Sequence, residues 1–400
     1  MIKISAELKE DPIFGLNKEY LNCQKKNKIN LIIGVYINKQ GQKKDFQSVS
    51  EAKKIINNKS FDNQYLPIEG CKKYINNVNN LILREDIDKK KISTFQTIGG
   101  TGALKIAAEF LFKYQQMNTI WIGTPTWENH NSIFQQSGFN IKNYTYYDEK
   151  NKTVNHQSIM EELEKHAQPN DILLLHACCQ NPTGTDLNPE QWLQLKNICK
   201  EKSIIPIFDA AYIGFGGKID QDTHIINTFI KDLPSVIVCT SFSKNFGLYK
   251  ERIGALTICY PTEETKINNH NKVSACIRST YSNPPAYGAE IINTILESEE
   301  LTNLWQKELS AMRNRIKNIR TSFIERIRQK QNQLNLDYIS NQKGLFGFTD
   351  LTKQQMIKLR EDFGVFGLDS GRINLSSIND DNIEEASTAI AKTISCNNIK

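Results

Sequence analysis

Apolar residues along this chain fall into two alternating rhythms. Short continuous runs, TIWIG at 119–123, DILLLHACC at 171–179, IIPIFDAAYIGF at 204–215 and VIVCTSFSK at 236–244, read as strands buried on both faces. Between them, apolar residues recur at three- and four-residue spacing, the mark of helices with one buried face. Tyr74, Val78, Leu81 and Ile82 form one such set, after a turn at YLPIEG (65–70). Strand-like runs alternating with helical segments predict an α/β fold, a largely parallel sheet with helices on both faces. Residues 294–330 read as one long amphipathic helix carrying Trp305, Leu309, Met312, Ile316, Ile319, Phe323 and Ile327. Beyond it, 331–400 reads strand, strand, helix, two short strands, helix, and Thr352 with Gln355 makes a capping box for the first of those helices. Near the start, Pro12 and Gly15 in DPIFGL predict a break in regular structure, an arm that docks. NLIIGVY (30–36) predicts a short strand with Gly34 inside it, where backbone can approach a ligand.

Length adds a domain count. At 400 residues the chain exceeds one ordinary core. The expected division is an N-terminal arm at 1–14, part of a small domain at 15–45, a large domain at 46–310, and the rest of the small domain at 311–400. No apolar run approaches the ~20 residues that cross a bilayer, and the charged segment after Met1 lacks the apolar core of a secretory signal, so the expectation is a cytoplasmic protein without membrane association. Nine cysteines, an odd number without paired CxxC spacing, predict reduced, packed thiols and no metal centre. The net charge of +6 is spread among glutamates and asparagines without a basic stripe, which argues against nucleic acid as a partner.

Candidate chemistry gathers where the strand-like runs end. Ligands of open α/β sheets bind outside the carboxyl ends of the strands. There the chain places Trp127, Asn129 and His130, then Asn181, then Asp209 and Tyr212, then Lys244 within SFSKNFGLYKER. Lys244, just after an apolar run and flanked by Ser241, Ser243 and Arg252, is the candidate Schiff-base lysine beside a bound phosphate. The turn IGGTGALK opens a helix at Gly100 and Thr101, so free N–H groups and the helix dipole make an anion site. It has neither the GxGxxG spacing of a dinucleotide site nor the GK[ST] of a P-loop. An aromatic aldehyde with a ring nitrogen and a phosphate suits this set. Asp209 pairs with the ring nitrogen, Trp127 stacks on the ring, and Tyr212 and Asn181 bond its phenolic oxygen.

DPIFGL, NLIIGVY, YLPIEG, GGTGALK, PTWENH, CCQNPTG, FDAAYIGF, SFSKNFGLYKERIGA, IRSTYSNPPAYGA and SGRIN, spread from residue 11 to 374, carry a resemblance to class I, fold-type I pyridoxal-phosphate aminotransferases, in the aspartate and aromatic-amino-acid subgroup. It implies pyridoxal 5'-phosphate as cofactor, ping-pong transfer of an amino group to 2-oxoglutarate, and a homodimer with shared active sites. It also implies that Tyr65 reaches the neighbour's cofactor phosphate, that Arg372 clamps the substrate α-carboxylate near Gly34, and that Arg278 of the other subunit takes a distal carboxylate. Bidentate geometry explains arginine at both places. Val35, Thr101 and Asn283 resemble aspartate-selective members, whereas TWENH and YLPIEG resemble the aromatic branch. Gln180 departs from the pattern, standing where many members carry histidine before NPTG, and little effect is expected of it. The fold also hosts lyases and decarboxylases, the alternative reading. A regulator with an appended DNA-binding domain finds no segment for that domain.

Overall fold

The computed structural model describes residues 11–43, 45–58, 64–331 and 336–395. The chain divides into two compact units, Lys44–Arg315 and a second built from Met1–Lys43 with Ile316–Lys400.

The first unit is organised on a seven-stranded sheet. In chain order its strands are β1 (Ile92–Ile98), β2 (Thr119–Thr124), β3 (Asn140–Thr145), β4 (Ile172–His176), β5 (Ile205–Ala210), β6 (Val236–Ser241) and β7 (Ile253–Cys259). They lie in the order β1-β7-β6-β5-β4-β2-β3. From β3 to β6 every pairing is parallel, while β7 runs antiparallel to both β6 and β1. Every residue of β6 and β7 is buried, and β6 accordingly opens as the apolar run Val236–Cys239. The helix Gly99–Gln115 packs Ala103, Ile106, Ala107 and Phe110 onto this sheet with Ile122, Ile207 and Ile237. Gly254, early in β7, is required by packing: a Cβ there would lie 2.5 Å from the Thr240 carbonyl oxygen and 2.6 Å from the Gly99 carbonyl carbon.

Several local expectations change. The long helix is two, Tyr287–Leu296 and Glu299–Lys330. Between them Ser298 Oγ accepts from the Leu301 N–H at 3.2 Å, a side-chain cap that starts a new helix where periodicity alone runs on. Trp305 is fully buried in the second, stacked on Phe246 at 4.3 Å and donating its Nε1 proton to the Asn245 carbonyl at 2.7 Å, directly beside Lys244. Asn129 and His130 are helical, opening Asn129–Gln136, and Asp209 lies within β5 and not past its end.

In the second unit DPIFGL starts a helix, Pro12–Asn22, in place of a break. Asp11 caps it, accepting from Ile13 and Phe14 N–H at 2.9 and 3.0 Å, and proline at the first helical position has no N–H to waste. The expected arm at 1–14 otherwise lies outside the described residues. Of the next run only Asn30 is strand, within Ile29–Asn30, which lies parallel to Val365–Phe366. Beyond it the Ile33 and Val35 carbonyls take their hydrogens from the Asn374 side chain at 2.7 and 2.9 Å, so side chains stand in for a ladder. Residues 337–340 are a short helix where a strand is expected. The Thr352–Gln355 capping box is present and opens Lys353–Phe363.

Candidate active site

The parallel strands end on one edge of the sheet, and β7 begins there. Loops leaving that edge carry Gly99 after β1, Trp127 after β2, Asn181 after β4, Tyr212 after β5 and Lys244 after β6, while Arg252 directly precedes β7.

Asp209 anchors the polar centre. It is buried in β5, opposite His176 of β4 and Cys239 of β6. His130 Nε2 lies 2.9 Å from its Oδ2, Thr126 Oγ1 lies 2.8 Å from His130 Nδ1, and the same hydroxyl lies 3.2 Å from His176 Nε2. With a neutral His130 donating Nε2–H to the carboxylate, Nδ1 accepts the Thr126 proton and His176 donates Nε2–H to Thr126 Oγ1. That one arrangement satisfies all four groups. Burial alone would push the Asp209 carboxyl up, but the hydrogen bond from His130, together with the neighbouring imidazoles and the Lys244 ammonium, holds it below the ordinary carboxylate range. His176 is pushed down to about 3, chiefly by desolvation and then by His130. It is therefore neutral at physiological pH, leaving His130 and Lys244 as what keeps Asp209 ionised. Lys244 is half-buried, its Nζ 5.4 Å from the centre of the Tyr212 ring. Trp127 meets His130 edge-on, ring centres 5.2 Å apart.

A second cluster lies across β6 and β7. Arg252 Nη1 donates to Ser243 Oγ and to the Tyr249 carbonyl, each at 3.1 Å, from a backbone in the left-handed region at φ 51°. Gly99 packs beneath the guanidinium: a Cβ there would fall 2.7 Å from Nη2, and one on Gly100 would fall 3.0 Å from Ser241 Cβ. Gly99 also has φ +75°, open to glycine without cost. The arrangement is a cradle of helix N–H groups, with Thr101 half-buried in its first turn, serine hydroxyls and a fixed guanidinium. Phosphate matches that donor set.

Tyr65 is 92% exposed. Arg278 is near the end of Glu263–Thr280, where its guanidinium bonds Ser282 Oγ. Asn181 is buried just after Gln180. In the second unit Arg372 is buried in the strand Arg372–Asn374, donating Nη2–H to the Ile32 carbonyl at 2.7 Å, with its guanidinium 4.1 Å from the Phe346 ring centre. A Cβ on Gly34 would meet the same ring at 2.7 Å, so glycine there leaves Phe346 room beneath the arginine. No sequence motif singles out Thr126, which joins both imidazoles. Its signal was the four-residue step from Thr126 to His130, which places a hydroxyl by the imidazole at a helix start.

Residues 26–390 match the family model for aminotransferase class I and II. The chain belongs to the class I and II aminotransferases. It is 38% identical to an aspartate aminotransferase of Haemophilus influenzae over 387 residues, covering 96% of this chain and 98% of that one. With the aromatic-amino-acid aminotransferase of Escherichia coli it shares 35% over 385 residues, 95% and 97% of the two chains. Its structure superposes with a TM-score of 0.93 on the aromatic-amino-acid aminotransferase of Burkholderia pseudomallei solved covalently bound to pyridoxal phosphate, at 37% identity and covering 97% of this chain and 98% of the other. The fold is accordingly the fold-type I aminotransferase fold, as the sequence motifs led us to expect.

Proposed function

We propose that this chain is a pyridoxal-phosphate-dependent aminotransferase that moves the amino group between aspartate, aromatic amino acids or both and 2-oxoglutarate. The observation that carries it is a buried, ionised Asp209 held by His130, with Lys244 and a glycine-walled phosphate cradle on the same strand edge. The residues fit the cofactor. Gly100, Thr101, Ser241, Ser243 and Arg252 hold its phosphate, Trp127 covers its ring, and Asn181 and Tyr212 bond its phenolic oxygen. When bound, pyridoxal phosphate supplies a carbonyl for the amino group and an electron-withdrawing ring. Asp209 would keep a proton on the ring nitrogen, and Lys244 would carry the proton to and from the substrate α-carbon. Arg372 is assigned to the substrate α-carboxylate beside Gly34, and Arg278 to a distal carboxylate. The exposure of Tyr65 and Arg278 in the single chain supports a homodimer in which each completes the neighbour's site. Eight free cysteines among the described residues are in keeping with a reducing, cytoplasmic compartment.

Absorbance of the purified protein with pyridoxal phosphate, before and after aspartate or phenylalanine is added separately, tests the reading. A visible band bleached by both amino acids, with glutamate formed once 2-oxoglutarate follows, is the expected result; no band with added cofactor would end the reading. The cradle has its own test. A Gly99→Ala side chain must occupy a left-handed backbone, at about 1–2 kcal/mol, and displace the Arg252 guanidinium. The Kd of the apo chain for pyridoxal phosphate is expected to rise roughly tenfold or more. An unchanged Kd would place the phosphate elsewhere.

A further inference from the structure

Gln180, of which the motif comparison leads one to expect little effect, joins two of the loops at the strand edge. It is 2% exposed, and its backbone is fixed independently of its side chain: the Cys179 and Gln180 N–H groups both donate to the Asp186 carboxylate at 3.0 Å. The side chain then reaches across. Nε2 donates to the Pro125 carbonyl at 2.7 Å, on the loop that carries Trp127, while Oε1 accepts from Thr183 N–H at 2.9 Å and Thr183 Oγ1–H at 2.6 Å, on the loop that carries Asn181. The amide orientation follows from chemistry, because a carbonyl oxygen can only accept and an amide N–H can only donate. A second tie closes the ring. Thr185 Oγ1 lies 2.8 Å from Thr183 Oγ1, Tyr146 Oη donates to the Thr185 carbonyl at 2.8 Å, and Tyr146 N–H donates to the Thr124 carbonyl at 2.9 Å.

We propose that the Gln180 carboxamide is a positioning residue for the amino-transfer reaction, setting Trp127 on the ring side and Asn181 on the phenolic-oxygen side of the bound cofactor relative to each other. The inference rests on the function proposed above. A carboxamide suits the position because it offers N–H donors on one side and an oxygen that accepts twice on the other, at every physiological pH. Leucine leaves both partners unbonded. A neutral imidazole offers one donor and one acceptor, and a protonated one turns a second donor towards Thr183 N–H. The tie in this chain is therefore indifferent to pH, and one made by histidine is not.

The test compares wild type with Gln180→Leu and Gln180→His as holoenzymes, following the pH midpoint of the cofactor's visible band together with kcat and KM for aspartate. Asn181 donating to the phenolic oxygen favours the deprotonated form of the bound cofactor, so loosening it in Gln180→Leu is expected to move the midpoint upward. kcat should fall roughly tenfold, short of the ~100-fold that a 1 Å misplacement can cost, with KM little changed. Gln180→His is expected to restore kcat at high pH and lose it again as pH falls through about 6.5, where the imidazole charges. Should the leucine variant fail to fold, Thr183→Val removes one of the three bonds and is expected to shift the midpoint in the same direction by less. A midpoint and kcat equal to wild type in Gln180→Leu, or an unmoved midpoint in Thr183→Val, overturns the proposal while the wild-type band leaves the aminotransferase reading standing. A wild type without a band removes both.

Discussion

Lys244→Ala is expected to abolish turnover and covalent capture of the cofactor together. Trp305 bonds the adjacent Asn245 carbonyl and stacks on Phe246, so the turn that presents Lys244 is fixed by buried contacts the substitution leaves alone. The variant should therefore fold, and its defect should be chemical. Proton transfer by a positioned side chain contributes typically 10²–10⁴-fold, and Lys244 is here both the attachment point and the proton carrier. A loss of at least roughly 10³ in kcat is expected. Borohydride reduction of wild type should leave cofactor mass on the peptide containing Lys244, and reduction of the variant should leave none. Cofactor mass on another lysine, or turnover near wild type, would remove Lys244 from the centre of the site.

The middle of the sheet was legible because its strands are buried on both faces, unlike β3, most of which is not buried. β4, β5 and β6 appear as apolar runs with functional residues at their carboxyl ends, and topology then brings those ends to one edge. β1 and β7 were harder. β1 mixes Ser93, Thr94, Gln96 and Thr97 into a strand buried from Ile92 to Thr97, where the Thr94 and Thr257 hydroxyls lie 3.1 Å apart and Gln96 donates to the Pro285 carbonyl at 2.7 Å. Buried polar groups with partners look like solvent-facing ones until the partners are known. The same physics hid Ser298, which restarts a helix through a single hydroxyl, and Asp11, whose carboxylate turns a proline-containing break into a helix start. Within the site, residues whose type announces chemistry, Lys244, Asp209 and Arg252, could be named from sequence. Those that act on another side chain could not: Thr126 and Gln180 are ordinary residue types whose roles exist only in the geometry of loops distant in sequence.

Asp209→Asn is the change expected to cost most after loss of the lysine. The amide is nearly isosteric, and its oxygen can still accept from His130 Nε2 at the 2.9 Å the structure shows, so Thr126 and His176 keep their partners. What disappears is charge. A buried carboxylate kept ionised by His130 and Lys244 is the group able to hold a proton on the cofactor's ring nitrogen, and a neutral amide does not stabilise that cation. Removing one member of a buried charge pair costs about 3–5 kcal/mol, which at ~1.36 kcal/mol per decade is roughly two to four orders of magnitude in the rate of amino transfer. Asp209→Glu keeps the charge and misplaces it, so its loss should be smaller. Single-turnover bleaching of the cofactor band by aspartate separates these effects from product release. A rate for Asp209→Asn within tenfold of wild type would mean that the ring nitrogen needs no carboxylate. In that case the Asp209–His130–Thr126–His176 chain would serve only to fix the loop that carries Trp127.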